Sequence, residues 1–188
     1  EKFIWKVKKD LVLLLKNIVS VIRNKKVKVG EKMKRVLFIS STGGHFNELM
    51  QLQSMFSKYD YHIITEKTKS NQDLKEKFPG RINYLIYGTK SHLLTYPFKL
   101  LANCFKSLYF YFKFHPDYII TTGTHTAGPM CCIGKIMGSR IIYIETFANI
   151  QTKTATGKLL YPISDLFVVQ WKDMQKLYKK AKYGGWIY

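Results

Sequence analysis

Short runs of branched apolar residues alternate along this chain with stretches of helical period, and that alternation constrains the fold most. The runs are "RVLFISS" (35–41), "YHIITE" (61–66), "INYLIY" (82–87), "DYIITTG" (117–123), "RIIYIE" (140–145) and "LFVVQ" (166–170). Each is too short and too β-branched to be a helix. Between them, residues 45–58, 96–114, 126–137 and 172–182 space their apolar positions as helices do. Strands that are apolar on both faces and separated by helices predict an α/β, Rossmann-like parallel sheet with helices on both faces. A chain of 188 residues has room for one such domain, here placed at 34–188, and not for a second sheet.

In a sheet of this class ligands bind beyond the carboxyl ends of the strands. Two of those ends carry glycine turns. "SSTGGH" (41 to 45 with its preceding Ser40) places Ser41, Thr42, Gly43, Gly44 and His45 between the first strand and the first helix. Glycines there let the backbone approach a ligand, and free N–H groups at a helix start favour an anion. The pattern is neither the G-x-G-x-x-G dinucleotide fingerprint nor a P-loop. "TTGTHTAGP" (121–129) repeats the arrangement with Thr122, Gly123 and Thr124. Two such turns in one sheet could hold a diphosphate between them, with His125 as a solvated loop residue. Glu145 ends the fifth run, where it could bond sugar hydroxyls, orient His45, or simply cap a helix or pair with a cation.

The formal net charge is +19, which implies an anionic partner. Residues 1–33 are dense in Lys and Arg interleaved with Phe3, Trp5 and a leucine run, the pattern of a basic amphipathic membrane-surface segment followed by a linker. The helix expected over 96–114 carries Lys99, Lys106 and Lys113 at a spacing of seven, among Phe105, Phe110, Phe112 and other apolar residues. Surplus aromatics beside such lysines suit an anionic membrane surface or a subunit contact. No recognition motif for nucleic acid accompanies the charge, so a nucleic-acid partner is not expected. Cys104, Cys131 and Cys132 have no metal-ligand spacing, which points to a reduced chain with neither a metal nor a cofactor. A self-sufficient nucleotide-dependent transferase or oxidoreductase is the alternative, with Glu66 at the end of the second run as its ribose-binding acid.

"FISSTGGHFNEL", "TTGTHTAGP" and "IYIETFANIQTKTATGKLLYPISDLFVVQW" together resemble the PssD/CpsF-type proteins of bacterial exopolysaccharide and capsule synthesis. Those are similar to the membrane-anchored subunit of the dolichol-linked N-acetylglucosaminyltransferase. A more distant likeness runs to the peptidoglycan N-acetylglucosaminyltransferase that acts on an undecaprenyl diphosphate-linked sugar. The resemblance implies the N-terminal, acceptor-binding half of a GT-B glycosyltransferase split into two chains, docked peripherally on the cytoplasmic face of the membrane. It implies a separate donor-binding partner for the UDP-sugar and a polyprenyl diphosphate-linked sugar as acceptor, and little activity without that partner. It assigns His45 and Glu145 to catalysis, and Ser41, Thr42, Gly43, Gly44, Glu48, Thr122, Gly123 and Thr124 to the acceptor and its phosphates. Lys99, Lys106, Lys113, Phe105, Phe110 and Phe112 would face the membrane. The aromatic tail Trp186–Ile187–Tyr188 is a candidate dock for the partner.

Overall fold

A computed structural model describes residue 13 and residues 16–21, 33–88 and 95–187. The strands are β1 (Arg35–Ser40), β2 (Asp60–Glu66), β3 (Ile82–Leu85), β4 (Tyr118–Gly123), β5 (Arg140–Ile144), β6 (Leu166–Val169) and β7 (Lys182–Tyr183). They form one sheet in the order β3-β2-β1-β4-β5-β6-β7, and every pairing is parallel. The helices are α1 (described over 16–21), α2 (Gly44–Met50), α3 (Leu74–Lys77), α4 (Tyr96–Phe114), α5 (Ala127–Ile136), α6 (Ala155–Leu160) and α7 (Met174–Leu177). The α/β expectation and the six strands read from the sequence are present.

Alternation along each strand divides the core in two. Val36, Phe38, Ile63, Tyr118, Ile120, Ile142, Ile144 and Val168 face one layer, with Phe46, Leu49 and Leu52 from α2 and the turn after it. Leu37, Ile39, Ile64, Ile119, Ile141, Tyr143, Phe167 and Val169 face the other, against Phe110, Tyr111, Met130, Cys131, Leu160 and Tyr178. This two-sided burial is why the strands read as continuous apolar runs.

Three local expectations are corrected. Residues 45–58 are not one helix: α2 ends at Met50 and a 3-10 helix runs over Gln53–Lys58, whose tighter turn keeps both Met55 and Phe56 in the core. The basic helix after β6 is only Met174–Leu177, and the chain then adds β7, a strand of two residues that has no readable pattern. Within the tail, Ile187 turns inward: it is fully buried and its N–H donates to Gln170 Oε1 at 3.1 Å, so this residue serves the chain's own core rather than a partner, while Tyr188 lies outside the described residues.

Most of the proposed membrane segment 1–33 lies outside the described residues. Within it, Ile18 is fully buried in the first core layer, with Val19 and Val21 packed against that layer. Part of its apolar face is therefore used by the domain itself.

α4 starts with Pro97 in its first turn and stops at His115, left-handed at φ 42° and followed by Pro116. Asn103, Ser107, Phe110 and Tyr111 are its buried side. Phe98, Leu101, Phe105, Leu108, Tyr109 and Phe112 are exposed, at steps of three and four that make one continuous stripe. Phe110 is thus corrected from membrane surface to core, where it stacks on Phe114 with centroids 5.9 Å apart. Lys113 is exposed, and Lys99 and Lys106 are half-buried on the flank of the stripe. Among the described residues no helix is long and apolar enough to cross a membrane.

Candidate functional site

The strand order reverses between β1 and β4, and at such a switch point the following loops diverge to opposite faces and leave a crevice. The two glycine turns meet there. Ser41 N–H donates to the Gly123 carbonyl at 3.1 Å, which stitches one turn to the other. Gly43 takes φ 79° and Gly123 φ 98°, a region that penalises any side chain. At Gly123 a Cβ would also face His45 Nδ1 and the Tyr143 hydroxyl, each at 3.6 Å.

His45 sits in the first turn of α2 with its Nδ1 2.8 Å from the Thr122 carbonyl. A carbonyl only accepts, so Nδ1 carries the hydrogen and Nε2 is left as the basic nitrogen. The Thr122 hydroxyl returns a bond to the His45 carbonyl at 2.7 Å. Burial lowers the His45 pKa, partly opposed by the Thr122 bond. A neutral imidazole with one fixed tautomer is the state a general base requires. The expected orienting role of Glu145 belongs instead to this backbone carbonyl.

Glu145 occupies a closed nest. Its carboxylate receives the Tyr178 hydroxyl at 2.9 Å, the Tyr143 hydroxyl at 3.2 Å and the Thr146 N–H at 3.1 Å. The Thr154 hydroxyl lies 3.0 Å from both oxygens and also caps α6 by accepting the Gly157 N–H at 2.9 Å. Glu145 is 1% exposed. Burial raises its pKa, and the hydroxyl donors oppose that shift. With both oxygens engaged, it holds the start of α6 against β5 rather than meeting a sugar.

Glu48, one turn after His45, accepts the Thr146 hydroxyl at 2.8 Å and the Phe147 N–H at 2.9 Å through Oε1. Its Oε2 is buried without a hydrogen-bond partner. Burial pushes its pKa up to about 7, although the Thr146 and Phe147 bonds pull it down. The side chain ties α2 to the loop after β5, so its place among the phosphate-binding residues is corrected to a tether. Gly123 is corrected in part: its N–H is taken by the Thr121 hydroxyl at 3.0 Å and does not face a phosphate. Gly43 and Gly44 are exposed, with open space where a Cβ would stand. Thr124 is half-buried, its hydroxyl 3.3 Å from His125 Nδ1.

Glu66 ends β2 as expected, but its surroundings do not suit the ribose-binding role that the alternative reading gave it. It is 2% exposed, accepts the Thr126 hydroxyl at 2.7 Å and the Thr42 N–H at 3.4 Å, and so clamps both glycine turns from β2. His125 Nε2 lies 3.9 Å away, which draws this histidine out of the solvated-loop role. The neighbouring Asn71 fixes the Glu66 carbonyl at 2.7 Å. A ribose-binding role would compete with these bonds. The strand-end position of Glu66 was the available signal, but nothing in the sequence revealed Thr126 opposite it.

The architecture defines a class: a Rossmann-like domain built on one parallel sheet whose strand order reverses between β1 and β4. MurG of Acinetobacter baumannii shares it with a TM-score of 0.60 at 17% identity, over 74% of this chain and 42% of that one. UDP-N-acetylglucosamine 2-epimerase of Rickettsia bellii does so with a TM-score of 0.63 at 14% identity, over 83% and 46%. This chain therefore spans less than half the length of either enzyme, and the likeness is one of fold.

The family follows from sequence. A model described as "Oligosaccharide biosynthesis protein Alg14 like" matches residues 87–187, and the chain belongs to the Alg14 family. The "UDP-N-acetylglucosamine transferase subunit alg14" of Schizosaccharomyces pombe is 26% identical, covering 93% of this chain and 95% of its own length. The corresponding subunit of Kluyveromyces lactis is 30% identical over 84% of this chain and 80% of its own. That of Mus musculus is 26% identical over 94% and 93%.

Proposed function

We propose that this chain is the acceptor-binding subunit of a two-chain glycosyltransferase. A UDP-sugar would be held by a separate donor-binding partner. The acceptor would be a sugar on a polyprenyl diphosphate, in exopolysaccharide or capsule synthesis. The observation that carries the reading is His45, neutral and fixed by Thr122, at a crevice between two glycine turns. The family supports a transferase subunit, since the relatives are described as subunits of a UDP-N-acetylglucosamine transferase.

In this reading His45 Nε2 takes the proton from the attacking hydroxyl of the acceptor sugar. That oxygen forms the new glycosidic bond as the bond from the anomeric carbon to UDP breaks and its electrons leave with the diphosphate. The backbone N–H groups of Gly43 and Gly44, with the Thr124 hydroxyl and N–H, hold the acceptor's phosphates. The exposed stripe of α4 and its flanking lysines rest on an anionic membrane surface, on the cytoplasmic face, where each lysine contributes about 1 kcal/mol.

Reconstitution tests this. Sugar transfer should require both this chain and a donor-binding chain, and full-rate transfer by this chain alone would defeat the proposal. Replacing Lys99, Lys106 and Lys113 by Glu should lower binding to anionic liposomes and activity on the membrane-borne acceptor together, while a water-soluble acceptor stays usable.

A further inference from the structure

A second feature adjoins the crevice and is not used by the chemistry above. A groove of about 370 Å³ runs between α4, the start of α5 and α6. Its walls are Leu100, Cys104, Pro129, Cys132 and Leu159, and His125 lines it as well. The two ends differ in chemistry. At the inner end, His125 stands 3.9 Å from Glu66 and 3.3 Å from the Thr124 hydroxyl, inside the switch-point turn. Along its length the groove is apolar, and Leu100 and Cys104 lie beside the exposed stripe that contains Leu101 and Phe105. Leu159 is 54% exposed, a large apolar side chain on the groove's wall.

A ligand that fits must have a polar head at the switch point and an apolar tail directed to the α4 stripe. We infer that this groove is a prenyl subsite, which takes the isoprene units next to the diphosphate before the chain passes into the bilayer. The inference rests on the acceptor reading above and adds to it. The first units would then be read by protein rather than by lipid, and His125 would mark where head meets tail. The glycine in the wall suits this use. A Cβ at Gly128 would meet Leu159 Cδ2 at 3.5 Å, an ordinary contact, so a larger side chain there would fill the groove without entering the core.

The cysteines provide the test. Cys104 and Cys132 line the groove and are half-buried, whereas Cys131 is fully buried and serves as an internal control. The full chain is titrated with farnesyl diphosphate, inorganic pyrophosphate and farnesol, and maleimide labelling of each cysteine is followed by mass spectrometry. Farnesyl diphosphate should bind at least about tenfold more tightly than pyrophosphate, since burying even two CH₂ groups accounts for that factor. It should also slow labelling of Cys104 and Cys132, which pyrophosphate should not. Gly128→Leu and the surface change Leu159→Glu should each remove the tenfold gain and the protection, and leave pyrophosphate affinity as it was. Equal affinity for the two diphosphates without protection would overturn the prenyl subsite and leave the diphosphate site standing. Farnesol protecting as well as farnesyl diphosphate would overturn it too, by reducing the groove to a general apolar patch. Binding of neither diphosphate, with no transfer to a prenyl-linked sugar by the reconstituted pair, would remove the acceptor reading and this inference with it.

Discussion

Two buried carboxylates flank the switch point almost symmetrically, Glu66 on β2 and Glu145 just after β5, and they are built for different purposes. Glu145 is enclosed by hydroxyls from Tyr143, Thr154 and Tyr178 and by the Thr146 N–H. Gly157 leaves no room beside it, because a Cβ there would collide with the Tyr178 hydroxyl, Glu145 Oε2 and Thr154 Oγ1. Glu66 has fewer donors, and these come from the two turns that face the crevice. One side of the switch point is a locked scaffold and the other is a clamp on the two glycine turns. A buried charge with a complete set of donors rigidifies its surroundings. A charge that bridges two loops sets their spacing instead.

If that contrast is right, damage on the crevice should remove chemistry and damage in the nest should remove stability. The largest effect is expected from His45→Ala, which should lower turnover by about 10²–10⁴-fold, the usual worth of a general base. The thermal midpoint and partner binding should not change. A rise in acceptor KM with unaltered kcat would instead make His45 a binding residue.

Gly157→Ala should act the other way. Overpacking a filled site costs about 1–3 kcal/mol, and three oxygens in contact place this one toward the upper end. Denaturant unfolding should show the loss, and the folded fraction should turn over normally. A Gly157→Ala protein as stable as the parent would show that the nest is not closed.

Glu48 sharpens the comparison through pH. Its folded pKa of about 7 lies above the ordinary 4.5, so the folded state binds the proton more tightly than the unfolded state. Stability from this group is full at low pH and declines as pH rises from about 4.5 through 7, by about 3 kcal/mol in all. Glu48→Gln should flatten that slope, and an unchanged slope would assign it to other groups.

The smallest effect is a shift rather than a loss. Because burial lowers the His45 pKa, the acid limb of kcat/KM should fall below the usual histidine value of about 6.5. A limb above that value would mean that another group supplies the base.

The sheet was legible because a strand buried on both faces is apolar over successive positions, as residues 36–39 and 118–120 are. β7 was not, since Lys182 and Tyr183 carry no such pattern and pair only because β6 offers an open edge. The crevice was legible in outline, because glycine turns at strand ends are local features. The partners of its side chains were not. Glu66 meets Thr126 across 60 positions and Glu48 meets Thr146 across 98, separations that no local period encodes. Phe110 was misplaced for a related reason. In "KSLYFYFKF" every aromatic looks alike, and which face of α4 turns inward depends on the helix and sheet packed against it.

From its sequence alone this chain had a parallel α/β fold, two glycine turns at strand ends, a basic surface and a histidine beside the first turn. Each of these follows from neighbouring residues or from composition, because period, turn geometry and charge are local or additive properties. Tertiary structure decided the strand order, which set the switch point at β1 and β4. It also decided that Thr122 orients His45, that Glu145 is sealed while Glu66 clamps, and that His125 lines a groove walled by α4, α5 and α6. Those outcomes depend on which distant groups come within hydrogen-bonding or van der Waals reach, and only the packed chain determines that.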